Sequence, residues 1–288
     1  MDSIEEKRVY GDRGGAITVY IASGIGVVRV RVAGDAVGEF GLCERCDARD
    51  VAATRGGVAV ATDEDVRLLD LPDGAGVDEP ADETFVGTDF GPAVAVGNDD
   101  GELIAAGPDG RVAARPAGTD EWTTLEDEVG RAVRAIDGDL VGTDGGVYRV
   151  HDGGLDHAGL TDVRDVSAAG VPLAATADGL YKLGNGWMEI REGAFDVVAA
   201  DPRTEPGRLE RAHAVADRIL YEYDATDDEW QKGSRSSDRI VGVDYGETVY
   251  AVTAGGVFRT ATDGTWRKRA LGVTDVTGIA VPRYAADS

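Results

Sequence analysis

Short apolar stretches of four to eight residues alternate with Gly/Asp/Asn turns along the whole chain, and helical periodicity is nowhere sustained for the length of an ordinary helix. The pattern reads as all-β. One phrase recurs within it: a small-residue strand, a Gly/Asp turn, then an apolar strand carrying an aromatic or basic residue. The clearest copies run from Leu140 to Val150, Leu173 to Leu183 and Val249 to Thr260. Weaker copies begin at Val19, Val58, Leu103 and Ala214. The first residue after each turn is Val27, Val66, Arg111, Val147, Leu180, Ile219 or Val257, giving spacings of 39, 45, 36, 33, 39 and 38 residues. Seven units at that spacing match the length of a four-stranded propeller blade.

The spacing predicts a seven-bladed β-propeller of four-stranded antiparallel blades, one domain over residues 1–288, with loose ends at about 1–12 and 284–288. In the fifth unit the strands fall at Val163 to Ala169, Val171 to Thr176, Gly179 to Leu183 and Trp187 to Arg191. The first unit has only three strand candidates, Ala16 to Ser23, Gly26 to Val32 and Ala36 to Leu42, and lacks an innermost strand. After the last unit one segment is left over, Val276 to Val281. The two observations predict that this segment closes the ring by joining the first blade, which removes two open edges.

All four tryptophans, Trp122, Trp187, Trp230 and Trp266, open an outermost strand after a polar turn. This repeated placement marks packing between blades. The turn Thr260 to Trp266 resembles a degenerate Asp-box, the hairpin turn of sialidase-type propellers. No segment matches the arginine triad, Tyr/Glu pair and acid of a sialidase, so that chemistry does not come with the turn. The whole chain, most clearly Thr143 to Arg149, resembles an uncharacterised family of haloarchaeal β-propeller proteins, and more distantly it is similar to Asp-box propellers and the photosystem assembly-factor type. The resemblance implies the propeller fold and brings no activity with it.

Composition narrows the partners. Formal net charge is -25, with 54 acidic residues against 29 basic ones, and the basic residues are nearly all Arg. A hydrated carboxylate surface of this kind keeps a protein soluble where salt screens ordinary repulsion. No basic stripe exists to replace phosphate counterions, so nucleic acid and anionic membrane surfaces are not expected partners. Met1 to Glu6 has neither a basic start nor an apolar core, and no apolar run approaches spanning length, so a cytoplasmic monomer is expected.

Two patterns carry candidate chemistry. Cys43-Glu-Arg-Cys46 contains both cysteines, and a CxxC grips one side of a Zn²⁺ ion or cycles between dithiol and disulfide. Zinc needs two further ligands, and His151, His157 and His213 all lie far along the chain; a pair of reduced thiols is the alternative. Second, Asp47, Asp162, Asp196, Asp238 and Asp275 each begin a predicted innermost strand, so they are expected as a partial ring near one mouth of the channel. Such a ring suits Ca²⁺ or Mg²⁺, or a negative docking surface, while Asp is also an ordinary turn former. Arg49, Arg164 and Arg239 follow closely and would neutralise it. Long loops at Asp73 to Glu83 and Asp201 to Gly207 are further candidate sites.

No nucleophile elbow, phosphate loop or dinucleotide fingerprint stands out. The expected function is therefore a non-enzymatic scaffold that binds another protein, with no catalytic residue and no cofactor. The alternative is a channel-centred, metal-dependent hydrolase of lactonase type, or a small-ligand binder, using the aspartates.

Overall fold

The computed structural model describes residues 16–34, 36–71, 84–125, 132–262 and 264–283. They form seven four-stranded antiparallel sheets, each a blade, arranged around a central channel. Blade 1 takes Val276–Ala280 as its innermost strand, followed outward by Ala16–Ser23, Gly26–Ala33 and Ala36–Glu44. The innermost strands of blades 2 to 7 are Ala48–Thr54, Ala95–Asp99, Val133–Asp137, Val163–Ser167, Val197–Ala200 and Ile240–Tyr245. The C-terminal strand pairs antiparallel with the first one through Tyr20↔Ala280, Ile21↔Ile279 and Ala22↔Gly278, so the ring closes as the leftover segment requires. Gly56 N–H then bonds the Arg283 carbonyl at 3.1 Å, pinning the chain beyond the closure to blade 2.

The recurring phrase has a polar cause. In blades 4 and 5 a buried Thr ends the second strand and its hydroxyl closes the hairpin that follows. Thr143 Oγ1 donates to Gly146 O (2.9 Å) and accepts from the N–H groups of Gly145 and Gly146. Thr176 does the same with Gly179 O and with the N–H groups of Asp178 and Gly179. Ser23 and Thr62 play this part in blades 1 and 2. A side chain that mimics the backbone in this way satisfies a turn whose N–H groups would otherwise be buried unpaired.

The apolar core is divided. Among the described residues it forms seven clusters, one in each interface between neighbouring blades. Val and Ala dominate because blades converge toward the axis and leave room only for small side chains there. The tryptophans bridge blades as their placement predicts. Trp187 Nε1 donates to Ala158 O of blade 4 at 2.9 Å, and Trp266 of blade 7 meets the His213 ring of blade 6 edge-on. Asp263, in the turn from Thr260 to Trp266, and the loop from Asp73 to Glu83 lie outside the described residues.

Candidate functional site: the central channel

The channel encloses about 800 Å³ and is lined by all seven innermost strands. Five of these strands carry a β-bulge near their start, at Ala48/Asp50, Val133/Ala135, Val163/Asp165, Ile240/Gly242 and Val276/Gly278. The extra residue is Arg49, Arg134, Arg164, Val241 or Thr277, so three of the five bulges turn an arginine out of the ladder and onto the channel wall. Arg239 joins them from the residue preceding its strand. The mouth at which the innermost strands begin is thus lined by guanidinium groups.

Of the five aspartates expected as a ring, Asp47, Asp162, Asp196, Asp238 and Asp275, only Asp196 belongs to the channel wall. Asp162 and Asp275 have φ of 48° and 55°, a left-handed backbone that Asp tolerates well. Asp162 Oδ1 pairs with Arg134 at 2.5 Å and Asp196 Oδ1 with Arg164 at 2.6 Å, each pair joining one blade to the next. Asp238 accepts the N–H groups of Gly255 and Arg239, bonds that hold its carboxyl below the usual range. Asp47 and Asp275 both lie beside Gly24 in the hairpin of blade 1. Among the described residues no three His, Cys, Asp or Glu side chains come together as a metal-holding group.

Deeper in the channel are four carboxylates that the sequence reading passed over: Asp50, Asp137, Asp165 and Asp244. Each clasps the next blade. Asp50 accepts Val51 N–H (2.8 Å) and Val96 N–H (3.0 Å), and Asp165 accepts Val166 N–H and Val198 N–H, both at 2.9 Å. Asp244 accepts Tyr245 N–H and Val281 N–H, both at 2.7 Å, and Asp137 accepts Ala168 N–H at 2.8 Å. Burial pushes these carboxyls up, to about 6 for Asp50 and Asp244 and to about 8 for Asp165, the hydrogen bonds offsetting only part of the effect. Arg283, at the far mouth, works against the rise at Asp137 and Asp244. Their signal in the sequence is a carboxylate inside a strand flanked by Val or Ile, as in Arg164-Asp165-Val166.

The remaining candidates sit elsewhere. Cys43 and Cys46 form no disulfide and pack against the cluster between blades 1 and 2, and Cys43 Sγ donates to Val27 O at 3.3 Å. Burial raises the Cys46 thiol to about 11, with Arg67 only partly opposing, so at neutral pH it is protonated and a weak nucleophile or ligand. His213 is buried, with Nδ1 2.7 Å from Tyr245 Oη, and burial together with Arg211 holds it down to about 3. His151 and His157 are exposed. In the sixth-blade loop burial alone would raise Asp201, but its bonds to Arg203 and the nearby Arg211 carry it below the usual range.

Residues 3–282 match the family described as Beta-prop_HVO_0234-like, beta propeller, a family named for a Haloferax volcanii protein. The chain belongs to that family. A search of curated proteins returns no match. Among solved structures it is similar to the WD40 β-propeller domain of Doa1, with TM-score 0.59 and 17% identity over 78% of this chain and 83% of that one. It is also similar to a chain of the nidogen/laminin complex, with TM-score 0.60 and 9% identity over 93% and 99%. The computationally designed Ika8 protein gives TM-score 0.58 and 12% identity over 92% and 91%. At such identities the likeness establishes the propeller fold and nothing about activity.

Proposed function

We propose that this propeller is a non-enzymatic, monomeric cytoplasmic scaffold that binds another protein. One observation carries the reading: three of the four channel carboxylates already accept two backbone hydrogen bonds each, and the fourth accepts one, all at the service of blade-to-blade contact. Carboxylates used in this way hold a ring rigid and leave few lone pairs for a metal or a substrate. What remains is a disc with loops on two faces. A similar propeller chain occurs in the nidogen/laminin complex, which is compatible with such use. The net charge of -25 favours a protein partner over nucleic acid or an anionic membrane. Among the described residues no helix is long and apolar enough to cross a membrane.

The second reading, a channel-centred hydrolase or ligand binder, draws on Asp165, whose raised carboxyl would be a general acid near neutral pH. The two readings separate in one experiment. Affinity capture at native salt, followed by reconstitution from purified components on a sizing column, should yield a stoichiometric protein complex that survives chelation and the Asp165→Asn change. If instead no partner reconstitutes, and an esterase or lactonase screen with added Ca²⁺, Mg²⁺ or Zn²⁺ detects turnover lost in Asp165→Asn, the scaffold reading is wrong.

A further inference from the structure

The arginines of the channel mouth are repeat-equivalent, yet they are not equally supplied. Arg49, Arg134 and Arg164 all occupy the bulge position of their innermost strands. Arg134 and Arg164 each receive a carboxylate from the following blade, Asp162 and Asp196. Arg49 receives none, because the following blade opens with Gly91-Pro92-Ala93-Val94. The registers can be matched. Val94 N–H bonds Ala106 O and Asp196 N–H bonds Val215 O, both at 2.8 Å, as the first inward bond of their blades, so Val94 stands where blade 6 has Asp196. Pro92, two residues earlier, stands where blade 5 has Asp162.

The half-buried Arg49 side chain makes no hydrogen bond or ion pair with any described residue. Its nearest acids in the chain do not serve it. Asp47 lies toward Gly24, and Asp50 is committed to Val51 and Val96. Arg239, on the far side of the closing strand of blade 1, also has a side chain without such a partner, although it is exposed. Between the two lies Thr277, whose hydroxyl donates to Ala48 O at 3.1 Å and keeps its lone pairs free. All three line the same cavity.

We infer that the mouth of the channel binds a polycarboxylate, with one carboxylate at Arg49 in the place that Asp162 and Asp196 fill at Arg134 and Arg164, and a second toward Arg239. The repeat itself supplies the chemistry. The same bulged guanidinium is matched internally by a carboxylate in two blades and left for an external one in the third. A guanidinium fork suits a carboxylate geometrically as well as by charge. The inference goes beyond the scaffold reading and stands whether or not a protein partner exists.

The test titrates citrate, and separately tetraglutamate, into the full chain by calorimetry at fixed high chloride, with thermal unfolding as a second readout. At least one probe is expected to bind saturably and to raise Tm; citrate alone marks a free small acid, and tetraglutamate the better probe marks an acidic segment of a protein. Arg49→Ala should weaken binding about tenfold or more, a loss of roughly 1.4 kcal/mol. Pro92→Asp, at an exposed position, and Val94→Asp should weaken it similarly with Arg49 intact, because each offers an internal carboxylate. Arg235→Ala, which breaks an exposed pair with Asp217 on the rim, should leave binding unchanged. No saturable binding of either probe, or equal binding by Arg49→Ala and by folded Pro92→Asp, overturns the inference.

Discussion

Blades 5 and 3 have the same four-stranded plan and hold themselves together differently. In blade 5 the joints are polar: the Thr176 hairpin, the Asp165 clasp to Val198, Ser167 Oγ to Ala200 N–H at 3.1 Å, and the Arg164–Asp196 pair. Blade 3 lacks each of these. Its hairpin is Gly107 to Arg111, closed by Gly107 N–H to Arg111 O at 2.8 Å, and its outer strand is only Thr123–Thr124. Rings take over instead. Phe90 and Trp122 meet edge to face at 4.8 Å, Arg111 covers Phe90 at 4.2 Å, and Trp122 Nε1 reaches Thr88 O at 3.1 Å. The backbone geometry of a blade is therefore not tied to one set of side chains, so long as its buried N–H groups are satisfied and its interfaces filled. The blade with aromatic joints is also the one whose opening segment, Gly91 to Val94, brings no carboxylate to the arginine of the preceding blade, Arg49.

Three changes test this comparison from the ring as a whole down to one proton. Deleting residues 276–288 removes the innermost strand of blade 1, the one joint on which all seven blades depend. Loss of the native circular dichroism, or conversion to oligomers by light scattering, is expected; a monomer with native Tm would show that closure is dispensable.

Thr176→Val removes a hydroxyl that makes three hydrogen bonds in a buried turn, and should cost about 1–3 kcal/mol in urea unfolding. Blade 3 has Gly at the matching place and needs no such hydroxyl. A loss under about 0.5 kcal/mol would mean that the turn is held by backbone alone.

The smallest effect is a tilt with pH. Asp165 folded keeps its proton to about pH 8, whereas unfolded it ionises near 4, so the folded state binds more protons between those values and stability falls as pH rises through them. Asp50 and Asp244 add the same sign up to about 6. His213 opposes them: folded it stays neutral down to about 3, and unfolded it protonates below about 6.5, so its contribution is lost as pH falls. Asp137 is raised in the same sense by burial, and above pH 6.5 Asp165, at about 8, carries the tilt that a single substitution can remove. The unfolding free energy of the wild type in urea should decline from pH 6.5 to 8, with Asp165 contributing at most about 1.4 kcal/mol per pH unit, and Asp165→Asn should flatten that decline. An unchanged slope in the variant would assign the tilt elsewhere.

The period of the repeat, the strands of the fifth unit to within two or three residues and the closing role of Val276–Ala280 were all legible in the chain. These depend on local alternation and on turn residues whose side chains bond their own backbone, and such information is carried by neighbours in sequence. The lining of the channel was not legible in the same way. Side chains alternate along a strand, and one extra residue reverses every face beyond it. The bulges at Arg49, Arg134 and Arg164 do this, placing arginines at the mouth and Asp50 and Asp165 against the next blade, while Asp47 and Asp162 stay in turns. A bulge is fixed by the register of the partner strand and the N–H groups of the following blade. Sequence alone therefore determined that there is a ring of seven blades, and only the tertiary structure decided which charges face its centre.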